Sequence, residues 1–324
     1  MTDQHFTIVI ATSGRGRLLS RMMASLAEAV LPTQVRRVVI AENGPPGVAK
    51  AVAQNYAGKL PVIYLHSETR NKSRALNRAV DVCEGGFVIF FDDDIRLDPE
   101  CLVAYVETVT AEPRRIFVGG QCGVDYETPP PEWLKSYLPP SAVGWSWSKA
   151  NTRVPLDQPL ALGFNWGAYA SDIKSLGGFD EEKGPGTLIP IGEETKLQKA
   201  LLDRGIPGIY EPRAKVWHYV PRERCSQTWA LRRTRYAAFL RGAWILSHAP
   251  ERKARIKHLC RRRLLKFLLA GAITPTRIWP QKSFHFKYWA ENQRGCLEAV
   301  SVMGTAGTAT RAGQLEGRPQ HVLD

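Results

Sequence analysis

Phe87-Val88-Ile89-Phe90-Phe91-Asp92-Asp93-Asp94 is the stretch on which the reading of the chain turns. Five apolar residues without a polar break describe a strand buried on both faces, and three carboxylates directly after them end it. Upstream, Phe6–Thr12, Val35–Ala41 and Pro61–Leu65 read as further strands, separated by apolar positions at helical spacing over Leu18–Val30, Gly47–Tyr56 and Ser73–Cys83. Downstream, Pro99–Thr110 is helical again. Strands without alternation, spaced by helices, predict an α/β class with a mostly parallel sheet covered on both faces. Such sheets place ligands at the carboxyl ends of their strands. The loops Thr12–Arg17, Glu42–Gly47 and Asp92–Asp94 therefore converge on one edge. Gly14-Arg15-Gly16 lacks the third glycine of a dinucleotide fingerprint, and no GxxxxGK phosphate loop is present.

The 324 residues carry a net charge of +13, unevenly spread. Between Arg213 and Lys266 stand 16 Lys/Arg against Glu223 and Glu251, a local +14, so the rest of the chain sums to −1. At 44% hydrophobic and 23% charged residues the chain is neither disordered nor fibrous. Six scattered cysteines without CxxC pairing predict reduced thiols and a cytoplasmic setting. Met1 leads into an apolar strand without a basic leader, and Leu264–Ile273 is too short for a span of about 20 residues, so neither a signal peptide nor a transmembrane helix is expected. From Gly119 to Asn165 the pattern breaks into Pro- and Trp-rich sequence. There Trp133, Trp145 and Trp147, with Trp166 just beyond, either stack on sugar faces or pack an irregular loop.

Three groups of residues bear chemistry. In an extended loop Asp92 and Asp94 point the same way and can face one hard cation, or the triad is a solvated turn capping the next helix. Glu193 and Glu194 open an amphipathic helix running to Arg204, where acids suit the positive end of the dipole. Behind the turn Gly184-Pro185-Gly186, the pair can equally present a general base to a hydroxyl. His218, inside Lys215-Val216-Trp217-His218-Tyr219, is either a satisfied core histidine or a metal ligand.

Taken in order, Thr12-Ser13-Gly14-Arg15, Glu42-Asn43-Gly44, Asn71-Lys72-Ser73-Arg74-Ala75-Leu76-Asn77, Phe91-Asp92-Asp93-Asp94, Gly177-Gly178-Phe179-Asp180, Gly192-Glu193-Glu194-Thr195-Lys196-Leu197 and Val216-Trp217-His218 resemble the family-2 inverting glycosyltransferases. The resemblance covers about residues 6–240. It implies the GT-A fold, with a Rossmann-like sheet, and an enzyme that moves a sugar from a nucleotide-diphospho-sugar, a UDP-sugar first, to an acceptor hydroxyl. It implies that Thr12, Ser13, Arg15 and Glu42 border the base and ribose, and that Lys72 and Arg74 lie near the base or diphosphate. Asp92 and Asp93 would lie on the donor, with Asp92 towards the ribose. Asp94 would hold Mn²⁺ or Mg²⁺, joined by Asp92 and His218. Glu194 falls at the catalytic base and Glu193 precedes it. Two departures stand out: Gly14 where Asn is common, and Glu rather than Asp at the base.

The expected organisation is a transferase domain over 1–225, with a nucleotide-binding half over 1–118 and an acceptor-binding half over 119–225. A basic helical extension follows over 226–300, then a disordered tail over 301–324. Cations interleaved with Trp229, Tyr236, Phe239 and Trp244 either are solvated faces of helices packing on the domain or suit an anionic membrane surface through 226–270, at the inner face of a membrane, and with it a carbohydrate or lipid-linked acceptor in cell-surface polysaccharide or glycolipid synthesis. Two rival readings exist. A nucleic-acid-binding protein explains the charge but not the carboxylates at strand ends, so no nucleic acid is expected. A non-catalytic sugar-nucleotide-binding relative would have no use for Glu193 and Glu194.

Overall fold

A computed structural model of the chain describes residues 5–149, 151–158, 160–187 and 192–303. In chain order the elements are β1 (Phe6–Thr12), α1 (Gly16–Glu28), β2 (Val35–Asn43), α2 (Ala49–Tyr56), β3 (Val62–Ser67), α3 (Lys72–Asp81), β4 (Phe87–Asp92), β5 (Ile95–Leu97), α4 (Cys101–Ala111) and β6 (Phe117–Tyr126). They continue as α5 (Glu132–Lys135), α6 (Pro140–Val143), β7 (Val154–Leu156), β8 (Asn165–Tyr169), α7 (Ala170–Ser175), α8 (Glu193–Asp203) and β9 (Gly208–Val220). Three long helices follow: α9 (Gln227–His248), α10 (Lys253–Ala272) and α11 (Pro280–Val302).

The chain forms two compact units. One comprises Met1–Asp125 with Pro140–Tyr219, the other Tyr126–Pro139 with Val220–Asp324. Most of the expected tail, residues 304–324, lies outside the described residues.

In the first unit the α/β class and the expected sheet are present. The sheet runs β3-β2-β1-β4-β8-β6-β9-β5, with β7 beside β9. β3, β2, β1 and β4 are mutually parallel. β8 joins antiparallel to both β4 and β6, and β9 joins antiparallel to β5 and β7. Successive β4 residues serve opposite faces, Ile89 and Phe91 in one apolar cluster, Val88 and Phe90 in the other. That double burial is why the sequence shows no polar alternation there.

The Pro- and Trp-rich segment is more ordered than its composition suggests. β6 runs straight through Gly119-Gly120, where strand propensity is weakest. A side chain is excluded at Gly120: a Cβ there would lie 2.0 Å from the Ala214 carbonyl oxygen and 2.4 Å from Asn165 Nδ2. The tryptophans pack. Trp166 is fully buried and stacks on Phe90 at 5.2 Å, and Trp145 meets Tyr210 edge-on at 5.4 Å. Within the second unit, Trp133 packs edge-on against Phe284 at 5.2 Å. All six cysteines are free thiols.

Candidate active site

Strand register builds the floor of the site. Thr12 pairs with Glu42 across β1 and β2, and Ala11 pairs with Asp92 across β1 and β4, so the carboxyl ends of three parallel strands lie level. Antiparallel pairing of β5 with β9 sets His218 opposite Ile95, and Tyr219 donates its backbone N–H to the Asp94 carbonyl at 2.8 Å. His218 is thereby drawn to the acidic loop from more than a hundred residues away.

The three aspartates have separate environments. Asp93 is fully buried and accepts from Thr12 Oγ1 at 2.6 Å and from Arg15 Nε at 3.2 Å, with a further bond from Arg15 Nη2. Burial pushes the Asp93 carboxyl up while the Arg15 guanidinium opposes it. Asp94 Oδ2 accepts from Arg15 Nη1 at 2.9 Å, and Asp94 Oδ1 stands 3.6 Å from His218 Nε2. Asp92 is half-buried and grips Lys72 Nζ at 2.6 Å. Burial alone would lower Lys72, but the Asp92 and Glu193 carboxylates hold its ammonium above its ordinary value.

Lys72 also brings the second acidic cluster to the first, because its Nζ lies 3.8 Å from Glu193 Oε1. Glu193 and Glu194 form the first turn of α8, behind Gly192 in the left-handed region at φ +89°. Glu193 is buried, with Gly184 against it: a Cβ on Gly184 would lie 3.0 Å from both Glu193 Cδ and Ser73 Oγ, and φ there is +94°. The loop carrying Gly184 is fastened to the start of α3. Lys72 N–H donates to the Pro185 carbonyl at 3.0 Å, Ser73 Oγ to that of Lys183 at 2.7 Å, and Asn71 Nδ2 to that of Glu181 at 2.8 Å. Burial and the neighbouring Glu193 raise the Glu194 carboxyl above the ordinary carboxylate range.

Asp92, Asp93, Asp94, Thr12, Arg15, Lys72, Glu193 and His218 thus form a connected group. Arg15 is occupied with Asp93 and Asp94, where its guanidinium sets the shape of the acidic loop. Glu42 is fully buried and accepts from Tyr64 Oη at 2.5 Å and the Gly47 N–H at 3.1 Å. Burial and then the Glu42 bond push Tyr64 up to about 12. Ser13 is exposed beside this edge, and Arg74 lies outside the group, with its Nε on Glu181 at 2.8 Å. Two contributors escaped the sequence reading. Phe164 stacks on His218 at 4.7 Å, and Asn165 is held by Tyr105 Oη at 2.9 Å while donating to Gln121 and Ala214 carbonyls, each at 2.9 Å. Neither belongs to a motif, and both follow a segment whose composition reads as loop.

Among the described residues, no group of three or more His, Cys, Asp or Glu side chains stands together as a complete metal cage. Asp94 and His218 nevertheless suit a shared divalent cation. Their 3.6 Å separation exceeds a hydrogen bond and is wider than the roughly 3.0 Å between neighbouring octahedral ligands at about 2.1 Å, so a shared ion would need the two side chains to close in slightly. Two protein ligands would leave the remaining positions to water and to substrate phosphates, Asp94 supplying the hard oxygen and His218 a softer nitrogen.

Comparison with known proteins supplies the family and the fold. A family model described as glycosyl transferase family 2 matches residues 7–172. The succinoglycan biosynthesis protein ExoM of Rhizobium meliloti (strain 1021) is 27% identical over 233 residues, which is 71% of this chain and 71% of ExoM. A validoxylamine A glucosyltransferase of Streptomyces hygroscopicus subsp. jinggangensis is 27% identical over 228 residues, 62% of this chain and 52% of that protein. Among solved structures, the mannosyltransferase PcManGT from Pyrobaculum calidifontis, in complex with GDP-Man and Mn²⁺, aligns with a TM-score of 0.52 at 18% identity over 96% of this chain and 78% of its own. S. aureus TarS aligns with a TM-score of 0.51 at 14% identity over 94% and 93%. At these identities the structural likeness speaks to the fold.

Proposed function

As a member of glycosyl transferase family 2 the chain is a glycosyltransferase with a GT-A fold, and we propose that it is a metal-dependent, inverting one. In this reading it moves a sugar from a nucleotide-diphospho-sugar, a UDP-sugar first, to a hydroxyl of a carbohydrate or lipid-linked acceptor in polysaccharide or glycolipid synthesis. One observation carries the reading. Lys72 joins Asp92 at the end of β4 to Glu193 at the start of α8, so that the acidic loop lies beside the helix turn that carries Glu194.

Glu194 is the general base. Its carboxyl is raised to about 8, so the ionised fraction is small at pH 7 and grows above it, and that fraction is a stronger base than an ordinary carboxylate. The acceptor oxygen, relieved of its proton, attacks the anomeric carbon opposite the nucleotide, and a single displacement inverts that centre. Glu193, fixed by Lys72 and covered by Gly184, positions the helix start and keeps Glu194 from ionising at low pH. Asp92, oriented by Lys72, takes the ribose, while Thr12, Asp93 and Arg15 set the loop and Glu42 borders the base. Mn²⁺ or Mg²⁺ held by Asp94 and His218 would neutralise the charge gathering on the leaving diphosphate.

Thermal stability measured against UDP, GDP, dTDP and CMP, each with and without Mn²⁺, tests the reading. A rise with one diphosphate that requires the metal is expected, followed by turnover of the matching sugar nucleotide. A diphosphate shift of equal size in the presence of a chelator would refute the metal-dependent donor site.

A further inference from the structure

Between Lys253 and Lys282 the chain carries nine Lys/Arg and no Asp or Glu. In the second unit this stretch is α10, the following turn and the start of α11. One side of α10 is committed to α11: Cys260 is buried, Phe267 stacks on Trp289 at 6.3 Å, and Thr276 Oγ1 meets Ser283 Oγ at 3.0 Å across the turn. The opposite side is open. Leu265, Leu268, Leu269 and Ile273 recur at i, i+3, i+4 and i+8, one stripe of the helix, and are exposed by 59%, 43%, 60% and 81%. Ile278 and Trp279 continue the patch around the turn at 64% and 48%. Towards the start of α10 the same stripe turns basic, with Arg255, Arg261 and Arg262.

We propose that the tip of the α10–α11 hairpin docks on an anionic phospholipid bilayer, its apolar end entering the acyl boundary and the cations behind it meeting headgroup phosphates. From Leu265 to Ile273 the helix rises about 12 Å, a little over two turns of apolar face. No described helix is long and apolar enough to cross a membrane, so the hairpin rests in the surface rather than spanning it. Charge selects this occupant. A second copy would set nine cations against nine, and a polynucleotide would match the cations but leave Ile273 and Trp279 in water.

The surface is shifted towards the C-terminus from the 226–270 expected from charge, although Trp244 of α9 is also 60% exposed. α9 has Trp229 and Phe239 buried, and its Arg235 is paired with Glu291 and Glu298 of α11.

Co-sedimentation of the full chain with vesicles of one-third phosphatidylglycerol in phosphatidylcholine, and with phosphatidylcholine alone, tests the proposal. Binding to the first and not the second is expected. Leu269→Glu with Ile273→Glu should weaken it at least tenfold while leaving the melting temperature and any nucleotide-induced shift unchanged. Those side chains are exposed; should the pair fail to fold, Ile273→Ser asks the same question. Arg261→Glu with Arg262→Glu should weaken binding at least 25-fold, since each cation near an anionic surface contributes about fivefold. Equal binding to neutral vesicles, or no binding at low salt, overturns the proposal. So does binding that salt removes but Ile273→Glu leaves intact, which marks a polyanion surface. Dimerisation abolished by Ile273→Glu would reassign the patch to a second copy. Because the nucleotide shift is read separately, failure here leaves the transferase reading untouched.

Discussion

Replacing Lys72 by Met should destabilise the protein strongly at neutral pH and far less in mild acid. The Lys72 side chain is 12% exposed and those of Asp92 and Glu193 are 19% and 6%, so its removal leaves carboxylates clustered with little water to screen them. Truncating one partner of a buried pair costs about 3–5 kcal/mol when the other stays charged. Protonation sets a ceiling. Holding one glutamate neutral at pH 7 costs about 1.36 × (7 − 4.3), or roughly 3.7 kcal/mol, and at pH 5 about 1 kcal/mol. The lysine itself adds no pH dependence in this window. Its folded value is raised, so its stabilisation is complete below the unfolded value near 10.4 and fades only as pH rises through the folded one. In Lys72→Met the orphaned carboxylate has a raised value instead, which penalises folding above its unfolded value and is relieved as pH falls. Urea unfolding of wild type and variant at pH 7 and pH 5 should therefore give losses of about 3–4 and about 1 kcal/mol. A loss under about 1 kcal/mol at pH 7, or equal losses at both, would mean that packing and not charge makes Lys72 matter.

Other outcomes follow from single contacts. Glu194→Gln should lower the transfer rate by about 10²–10⁴ yet keep nucleotide-induced stabilisation, measured by turnover and melting temperature; an unchanged rate would move the base elsewhere. Because the Glu194 carboxyl is raised and a base must be ionised, wild-type kcat should climb as pH rises from mild acid towards neutrality; a flat profile between pH 5 and pH 8 would contradict that role. Gly184→Ala should cost about 1–2 kcal/mol from its left-handed backbone alone, with a further loss from Cβ meeting Glu193 and Ser73, read by urea unfolding. Asn165→Ala should cost about 2–4 kcal/mol, because the Tyr105 hydroxyl and the Gln121 and Ala214 carbonyls all lose a buried partner.

What could be read from the sequence was what local pattern encodes. Phe87–Phe91 is apolar throughout because both faces of β4 are covered, so the fold class was visible in five residues. β4 then ends in carboxylates, which burial tolerates because Arg15 and Lys72 are paired with them. Pattern was silent where a residue is chosen by something distant. Gly119-Gly120 argues for a loop by propensity, yet Gly120 sits in a strand because Ala214 and Asn165 occupy the space a side chain would need. Arg15 stands between Asp93 and Asp94, where a fully buried carboxylate gains a charged donor that Thr12 alone does not supply. Residues 126–139 join the C-terminal unit through Trp133 and Tyr137 on Phe284, a pairing across some 150 positions that no period announces. The Lys72–Glu193 contact is the same kind of fact. Each acidic motif alone was ambiguous between solvated turn and reactive site. Folding puts one ammonium between them, and a buried cation shared by two carboxylate clusters is an arrangement that supports the proposed site.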